Sequence, residues 1–316
     1  MAITNPVDVG SFTTTFIIPR AVQNHWRANP VLWRAHRKGR RFDGGLQIEA
    51  PIFYAGVTAM GSYQDRDALV ITNNQMTVNA TYQLRELYAH VSVSGRDLAR
   101  NQGPQAVKSF WKMKINHVKD GIADLMGTQL QSNNAGGKDL DGFGLMISAS
   151  STYGGLAVAD VSDWIAQIQA AGANTMTIQR LQNVHGKCTF GGSRPTLIQM
   201  NQALYDKFST FGDTVQRIID TDMASVGIAQ LNFRGVPVVV DPHSPGSGDG
   251  VTDNDVRFIN ENFGELWTAS GWDFKTEQCA RLPNEDVTRM NVWYKGNWIC
   301  HSRRHQGALT SINPAL

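Results

Sequence analysis

A long run of alternating apolar and polar residues limits how this chain can fold more than any other feature. From residue 76 to 84 every second residue is apolar, which is the two-residue period of a β-strand. At Arg85-Glu86 the phase shifts by one residue and the alternation then continues to Ser94, so we expect a bulge or bend there. As one strand this run would extend on the order of 60 Å at ~3.3 Å per residue, whereas strands in compact domains usually have about five or six residues. We therefore expect it to leave the body of its own subunit.

An earlier alternating segment, residues 46–54, has the pattern needed to pair with this run antiparallel. The polar segments 64–67 and 73–75 lie between the two, so the pair is typical of a long projecting hairpin. An isolated two-stranded hairpin is marginally stable in water and exposes its strand edges. Another surface should therefore cover it, and a neighbouring copy of the chain is the simplest candidate.

The longest helical pattern follows, over residues 104–132. Its apolar positions recur at steps of three or four: Val107, Trp111, Ile115, Val118, Ile122 and Leu125. Pro104 suits the first helical turn, and the asparagines and glycines of residues 133–137 favour a stop. A helix of this length is roughly 43 Å long. We interpret it as a spine of the fold.

Composition excludes several classes of protein. Charged residues make up 18% of the chain, below the roughly 25% of typical soluble domains, which favours a protein that hides much of its surface. The net charge of +2 predicts no global attraction to nucleic acid or membrane. No apolar run approaches the ~20 residues of a membrane span, and the first twenty residues lack a signal-peptide pattern. Three widely spaced cysteines are typical of reduced thiols in a cytosol.

Positive charge is concentrated in residues 27–41, which contain no acidic residue. The basic residues there are Arg27, Arg34, Arg37, Lys38, Arg40 and Arg41, with tryptophan and histidine between them. Such a segment could bind nucleic acid, dock on acidic surfaces of a neighbouring subunit or scaffold, or remain a solvated arm. The sequence alone does not distinguish these three interpretations.

The second half of the chain alternates helical and strand patterns. We predict helices over 160–169 and 177–184, a short strand over 196–200, and a helix from the cap Asn201 to Phe208. An apolar strand is expected over 233–240. Further on, 287–294 and 298–303 flank the turn signal of residues 295–297, which predicts a β-hairpin.

Candidate chemistry is sparse, and we predict no enzyme, no metal site and no cofactor. His301 and His305 have metal-ligand spacing only if helical, and their context predicts a strand. The acidic loop with Asp249, Asp253 and Asp255 lacks the ligand order of a calcium loop. Residues 191–195 (GGSRP) lack the lysine of a phosphate-binding loop, and no serine or cysteine lies in a nucleophile motif.

The order of these segments carries a family resemblance. A basic arm, a long hairpin, the strand-to-helix step of residues 91–98 (VSVSGRDL) and the long helix come first. The segments 233–238 (FRGVPV) and 256–260 (VRFIN) and the closing strand 296–300 (GNWIC) follow. Together they resemble the major capsid proteins of tailed bacteriophages, of the Hong Kong 97 type.

The resemblance implies an α+β fold with five parts. These are an N-terminal arm (1–41), an extended loop built as a β-hairpin (42–85), a peripheral domain (86–149) with a spine helix (104–132), an axial domain (150–264), and return strands (265–316). It also implies inter-subunit contacts, which we expect at Arg37, Lys38, Arg40, Arg41, Tyr63, Asp65, Arg66, Asp67, Asn73 and Asn74.

The implied function is mechanical. Capsid proteins of this type form pentamers and hexamers that close into an icosahedral head around double-stranded DNA, bound without sequence preference. We expect a virion protein, assembled in the host bacterial cytoplasm with a portal and a separate scaffold, since no long scaffolding segment precedes the arm; the sequence leaves open whether a decoration protein binds the shell. No membrane is involved. The alternative within the fold is an encapsulin-type bacterial nanocompartment, which encloses cargo enzymes.

Overall fold

A computed structural model describes residues 29–45, 47–56, 59–69, 75–100, 104–134, 136–172, 174–211, 231–246, 254–278 and 285–313. The helices of this part of the chain are α1 (Pro30–Lys38), α2 (Gly95–Arg100), α3 (Pro104–Gln131), α4 (Phe143–Met146), α5 (Ile178–Cys188) and α6 (Gln202–Ser209), with a 3₁₀ turn at Arg303–His305. The first strands are β1 (Arg40–Phe42), β2 (Gln47–Phe53), β3 (Thr77–Gln83), β4 (Arg85–Ser94), β5 (Gln167–Ala170), β6 (Leu197–Met200) and β7 (Leu231–Phe233). The remaining strands are β8 (Val236–Val240), β9 (Asn254–Ile259), β10 (Gly264–Ala269), β11 (Lys275–Gln278), β12 (Val287–Cys300) and β13 (Gly307–Ile312).

The predicted long hairpin forms, and the phase shift is confirmed as a break between two strands. β2 and β3 pair antiparallel from Gln47↔Gln83 to Phe53↔Thr77. Leu84 separates β3 from β4, and the residues that each strand buries belong to the apolar set that its own phase predicts: Ala80 and Tyr82 in β3, and Leu87, Val91 and Val93 in β4. The expectation that the whole hairpin leaves the subunit is wrong. Its half nearest the body is buried in the main core through Ala50, Ile52, Ala80 and Tyr82.

A five-stranded sheet is organised around β12, which pairs with β4 on one side and with β10 and β11 on the other. Here the prediction of a hairpin turning at 295–297 is wrong, because β12 runs unbroken for 14 residues. Gly296 is needed for close packing, since a Cβ there would lie 2.5 Å from the carbonyl oxygen of Trp267. Asn297 donates to the Gln83 carbonyl at 2.8 Å and to Asp141 at 2.6 Å, and so joins β12 to β3 and to the segment after α3.

The predicted spine helix is confirmed as α3, a helix of 28 residues. Among residues 111–131 of α3, the buried side chains lie in the C-terminal half and include Ile122, Ala123, Met126 and Leu130. The predicted apolar stripe is wrong at Leu125, whose side chain is 42% exposed. None of the described helices has the length and apolar content that crossing a membrane requires.

The second sheet has six strands in the order β5-β13-β9-β6-β8-β7. Two helix predictions here are confirmed by their caps. The Thr177 hydroxyl accepts a hydrogen bond from the Arg180 N–H at the start of α5, and the Asn201 side chain accepts one from the Leu204 N–H at the start of α6. Each cap satisfies one of the N–H groups that a first helical turn leaves unpaired.

Two further sequence predictions in this half are wrong. Residues 160–169 form turns followed by β5, because Trp164 is fixed by tertiary bonds: its indole N–H donates to the Tyr153 carbonyl, and its own carbonyl accepts from Arg303. Residues 233–240 are not one strand. Arg234 and Gly235 adopt φ of 51° and 79°, and this turn folds β7 back onto β8.

Candidate assembly surfaces

The distal part of the hairpin exposes apolar side chains that the chain itself does not cover. Phe53, Met60, Tyr63 and Leu69 are between 67% and 80% exposed, more than any other large apolar side chain in the described residues. Residues that share one loop and expose this much apolar surface mark an interaction site more often than a free surface. This segment, residues 53–69, is called the hairpin tip below.

The predicted contact residues of the hairpin tip lie around a polar turn. Tyr63 precedes this turn, in which the Asp67 N–H donates to the Gln64 carbonyl at 3.0 Å and the Asp67 carboxylate accepts from the Gln64 N–H at 2.9 Å. Asp65 adopts a φ of 41°, and Asp65 and Arg66 are both exposed. Asn73 and Asn74 lie outside the described residues. The turn therefore presents charges of both signs next to the apolar surface.

The base of the hairpin is held rigidly. The Tyr82 hydroxyl donates to the Cys300 carbonyl at 2.6 Å, and the Tyr82 ring meets the Tyr153 ring edge-on at 5.3 Å. Thr81 donates its N–H to the carbonyl of Gly154, where a Cβ would lie 2.9 Å from the Ala80 methyl. A fixed base gives the hairpin tip a defined direction, which a structural contact between subunits requires.

The basic segment joins α1 to distant carboxylates of the same chain. The Arg34 guanidinium and the Lys38 ammonium each contact one oxygen of Glu261 at 2.6 Å. Thr196 donates its hydroxyl to the same carboxylate at 3.0 Å. Burial alone would raise the pKa of Glu261, but the bonds from Arg34 and Lys38 outweigh it and hold that pKa below its usual value.

A second group of ion pairs follows at β1. His36 and Arg41 contact the two carboxylate oxygens of Asp273 at 3.0 and 3.6 Å, and Arg40 contacts Glu265 at 2.8 Å. The His36 contact lowers the pKa of Asp273, although burial opposes the shift. The side chains of Arg40 and Arg41 remain 63% and 72% exposed. They are both paired and accessible.

These contacts bear on the three interpretations of the basic segment. Val31, Leu32 and Ala35 of α1 are buried, and Arg37 lies 5.4 Å over the ring of Trp33. A fully solvated arm is therefore wrong for residues 30–42. Sequence reasoning missed the partners because Glu261, Glu265 and Asp273 are more than two hundred residues away and no local pattern links them to the segment.

Polar contacts join the spine helix α3 to the second sheet. His243 contacts Asp124 of α3 through Nε2 at 2.9 Å, and its backbone N–H donates to Asp241 at 2.9 Å. Hydrogen bonding to Asp241 raises the pKa of His243; burial opposes this and the bond to Asp124 adds to it. Deeper in the contact, the buried Arg257 bonds the side-chain oxygen of Gln131 at the end of α3.

The described residues offer little that resembles a reactive centre. They contain no group of three or more histidine, cysteine, aspartate or glutamate side chains able to hold a metal ion. His305 bonds Ser302 and the Phe190 carbonyl and stacks on Phe263 at 4.0 Å, so its role is to pack the 3₁₀ turn. Burial raises the pKa of Cys188 and of Cys300 to about 12, which makes both thiols unreactive at neutral pH.

Solved capsid structures match this arrangement over nearly its whole length. The capsid protein of cyanophage A-1(L) superposes with a TM-score of 0.62 over 95% of this chain and 94% of that one, at 15% identity. The chain has the Hong Kong 97-type capsid fold. The capsid of a native GTA particle, at 12% identity, gives 0.60 over 95% of this chain and 93% of that one. In this fold the β2/β3 hairpin is the extended loop and α3 is the spine helix.

The fold is shared by shells of a different kind. The SrpI encapsulin from Synechococcus elongatus matches with a TM-score of 0.60 over 100% of this chain and 98% of that one, at 12% identity. No protein-family model matches the chain, and neither does any curated protein sequence. The capsid fold is thus recognised from structure, at identities too low to carry a function with them.

Proposed function

We propose that this chain is the major capsid protein of a tailed double-stranded DNA bacteriophage and that it assembles into pentamers and hexamers of an icosahedral head. The observation that carries the proposal is the hairpin tip, where Phe53, Met60, Tyr63 and Leu69 are exposed together on a loop with a rigid base. A second copy of the chain is the partner that would cover this surface in every subunit of a closed ring.

Several surfaces of one subunit would share the assembly energy. The hairpin tip meets one neighbour, and the exposed charges of Arg37, Lys38, Arg40 and Arg41 meet another subunit or a scaffold. Each contact is modest, but their summed area should exceed the ~1,600 Å² of a standard complex. Head-to-tail contacts of this kind close into rings when the rotation between copies allows it.

The remaining parts of the proposal follow from the same role. The protein would be a non-enzymatic component of the virion, assembled in the bacterial cytoplasm on a separate scaffold, with a portal at one vertex. We also propose the five-part division that the resemblance implies, in which the return strands complete two other domains. β13 would complete the six-stranded sheet of the axial domain, and β10–β12 would join β4 in the five-stranded sheet of the peripheral domain.

An encapsulin-type compartment is the second candidate function, favoured by the match to the SrpI encapsulin over 100% of this chain. The two functions differ in content. A phage head encloses DNA that resists nuclease, and an encapsulin encloses protein cargo. The similarity to phage and GTA capsids supports a phage head.

The deciding experiment is expression of the full chain alone and together with the scaffold from its own genome, followed by negative-stain microscopy and nuclease treatment. We expect closed shells that depend on the scaffold and, in infected cells, nuclease-resistant DNA inside them. Shells that form alone and retain one enzyme through purification would favour the compartment. A protein that stays monomeric under both conditions would contradict both.

A further inference from the structure

A cleft of about 620 Å³ opens between α1, the turn after α5 and the β7–β8 turn. Arg34, Arg194 and Ser193 line it together with three glycines, Gly191, Gly192 and Gly235. Arg34 and Thr196, which also lines the cleft, bond Glu261 as described above, and the other lining residues belong to none of the assembly surfaces. Residues 191–195 are the segment that lacks the lysine of a phosphate-binding loop, so any anion held here would be held by other groups.

Glycine leaves the main chain of the cleft wall open. Gly191, Gly192 and Gly235 have φ of 58°, 82° and 79°, and a Cβ added at any of them would meet nothing within 4 Å. Gly191 and Gly192 form the turn between Phe190 and Ser193, whose backbone groups bond each other. Within the described residues no acceptor pairs with the N–H groups of Gly191 and Gly192. Exposed N–H groups of successive residues in such turns bind anions.

Among the residues that the structure describes, positive charge around the cleft exceeds negative charge. Arg34 and Lys38 share the single carboxylate of Glu261. Arg194 and Arg234 are exposed, and neither has a carboxylate partner among the described residues. Both arginines are close enough to act on His185, whose pKa is lowered first by burial and then by their charges. Arg40 and Arg41 of the basic segment, in contrast, contact carboxylates of their own chain.

We propose that this cleft, called the arginine cleft and lined by Arg34, Arg194 and the three glycines, binds phosphodiester groups of the double-stranded nucleic acid inside the shell, with Arg234 beside it in the β7–β8 turn. The proposal rests on the proposed function. Guanidinium groups match phosphate geometry through paired N–H donors, and glycine lets a backbone phosphate reach the main-chain N–H groups. Contacts to phosphate oxygens carry no sequence information, so binding through them would be independent of sequence.

The test measures binding of the unassembled full chain to a short, mixed-sequence DNA duplex by fluorescence anisotropy across a salt series. The variant is Arg194→Ala with Arg234→Ala. Its matched control is Lys275→Ala with Arg289→Ala, which removes the same charge from the five-stranded sheet. We expect the cleft variant to bind about tenfold more weakly at low salt, with a salt slope smaller by about 1.8, because two phosphate contacts are lost. The control should bind like the wild type.

Equal losses in the cleft and control variants would overturn the proposal, because net charge alone would then explain binding. Unchanged binding in the cleft variant would overturn it as well, and so would competition by polyglutamate as effective as competition by unlabelled duplex. Arg194→Lys with Arg234→Lys should restore only part of the affinity, since lysine lacks the paired donors. Sedimentation of the same variants under assembly conditions keeps the two hypotheses apart: shells that form normally while DNA binding by the cleft variant is unchanged contradict the arginine cleft and leave the capsid function standing.

Discussion

The Tyr82 hydroxyl donates a 2.6 Å hydrogen bond to the carbonyl oxygen of Cys300, across 218 positions of sequence. Tyr82 belongs to β3 of the hairpin and Cys300 ends β12, so this bond attaches the extended loop to the core of the subunit. Both residues are buried, and water therefore does not replace the bond when it is lost. The direction in which the hairpin leaves the subunit depends on this contact.

Tyr82→Phe should lower the free energy of unfolding by about 1–3 kcal/mol, the range for a buried group left without its partner. Tyr88→Phe is the matched control, because the Tyr88 side chain is 64% exposed, and it should change stability by less than about 0.5 kcal/mol. Urea unfolding of the unassembled subunit measures both values. Equal effects of the two substitutions would show that the hydroxyl of Tyr82 does not anchor the hairpin.

Replacing residues 56–75 with a Gly-Ser-Gly linker should leave a folded subunit that forms no closed shells. Tyr54 donates its N–H to the Met76 carbonyl at 3.0 Å, so the shortened hairpin keeps its last backbone pair, and its buried half stays in the core. Circular dichroism and sedimentation velocity test the two parts of this expectation. The matched variant, with Met60, Tyr63 and Leu69 replaced by serine, keeps the loop length and should also fail to assemble. Normal shells, or a subunit that no longer folds, would contradict this role of the hairpin.

Regular periodicity made β3, β4 and α3 predictable, because the side chains of each element alternate between core and surface with a fixed period. The wrong predictions concern segments where a contact with a distant residue overrides the local sequence pattern. Gly296 and Asn297 have turn chemistry, yet they lie inside β12 because Trp267 and Asp141 approach there. The pairing of Arg34 with Glu261 and the formation of the arginine cleft depend on the tertiary fold, so no local sequence pattern predicts either of them.

The contact of Glu261 with α1 predicts a large difference between single and double substitutions. Lys38→Ala should lower stability by less than about 1 kcal/mol, because Lys38 is half-exposed and Arg34 still pairs with Glu261. Arg34→Ala with Lys38→Ala leaves a buried carboxylate unpaired and should cost about 3–5 kcal/mol. Adding Glu261→Gln removes that charge and should restore much of the loss. Thermal and urea unfolding measure the series, and failure of Glu261→Gln to rescue would show that packing, not charge, is lost.

The lowered pKa of Glu261 also predicts at which pH the contact of Glu261 with α1 stops stabilising the fold. A carboxyl whose folded pKa is below its unfolded value stabilises the fold above the unfolded pKa, near 4.5, and loses that contribution as pH falls through the folded pKa. Glu261→Gln should therefore flatten the loss of stability below about pH 4.5. Urea unfolding from pH 3 to 6 tests this, and an unchanged acid limb in the variant would assign acid sensitivity to other carboxyls.

The pH dependence that His243 contributes to stability has the opposite sign to that of Glu261, because the pKa of His243 is raised. A histidine with a raised folded pKa stabilises the fold below its unfolded pKa, near 6.5, and this contribution disappears as pH rises through the folded pKa. The stability difference between wild type and His243→Gln should therefore be on the order of 1 kcal/mol at pH 6 and shrink by pH 9. His90→Gln on the exposed face of β4 is the control. A difference that does not vary with pH would mean that the charge of His243 does not link α3 to the second sheet.

The last prediction concerns whether neighbouring subunits are joined covalently. Some capsid proteins of this type form an isopeptide bond between a lysine of the extended loop and an asparagine of the next chain, which requires a lysine amine on that loop. Here no lysine occurs between Gly39 and Val107, so the hairpin lacks the nucleophile. The buried thiols of Cys188 and Cys300 are unsuited to replace it by disulfides. Mature particles boiled in detergent with reductant should therefore run as a single band near 34.8 kDa. A ladder of oligomers would contradict non-covalent assembly, and mass spectrometry of its cross-linked peptides would then test Lys38 and Lys108 first, because these lysines flank the hairpin most closely in sequence.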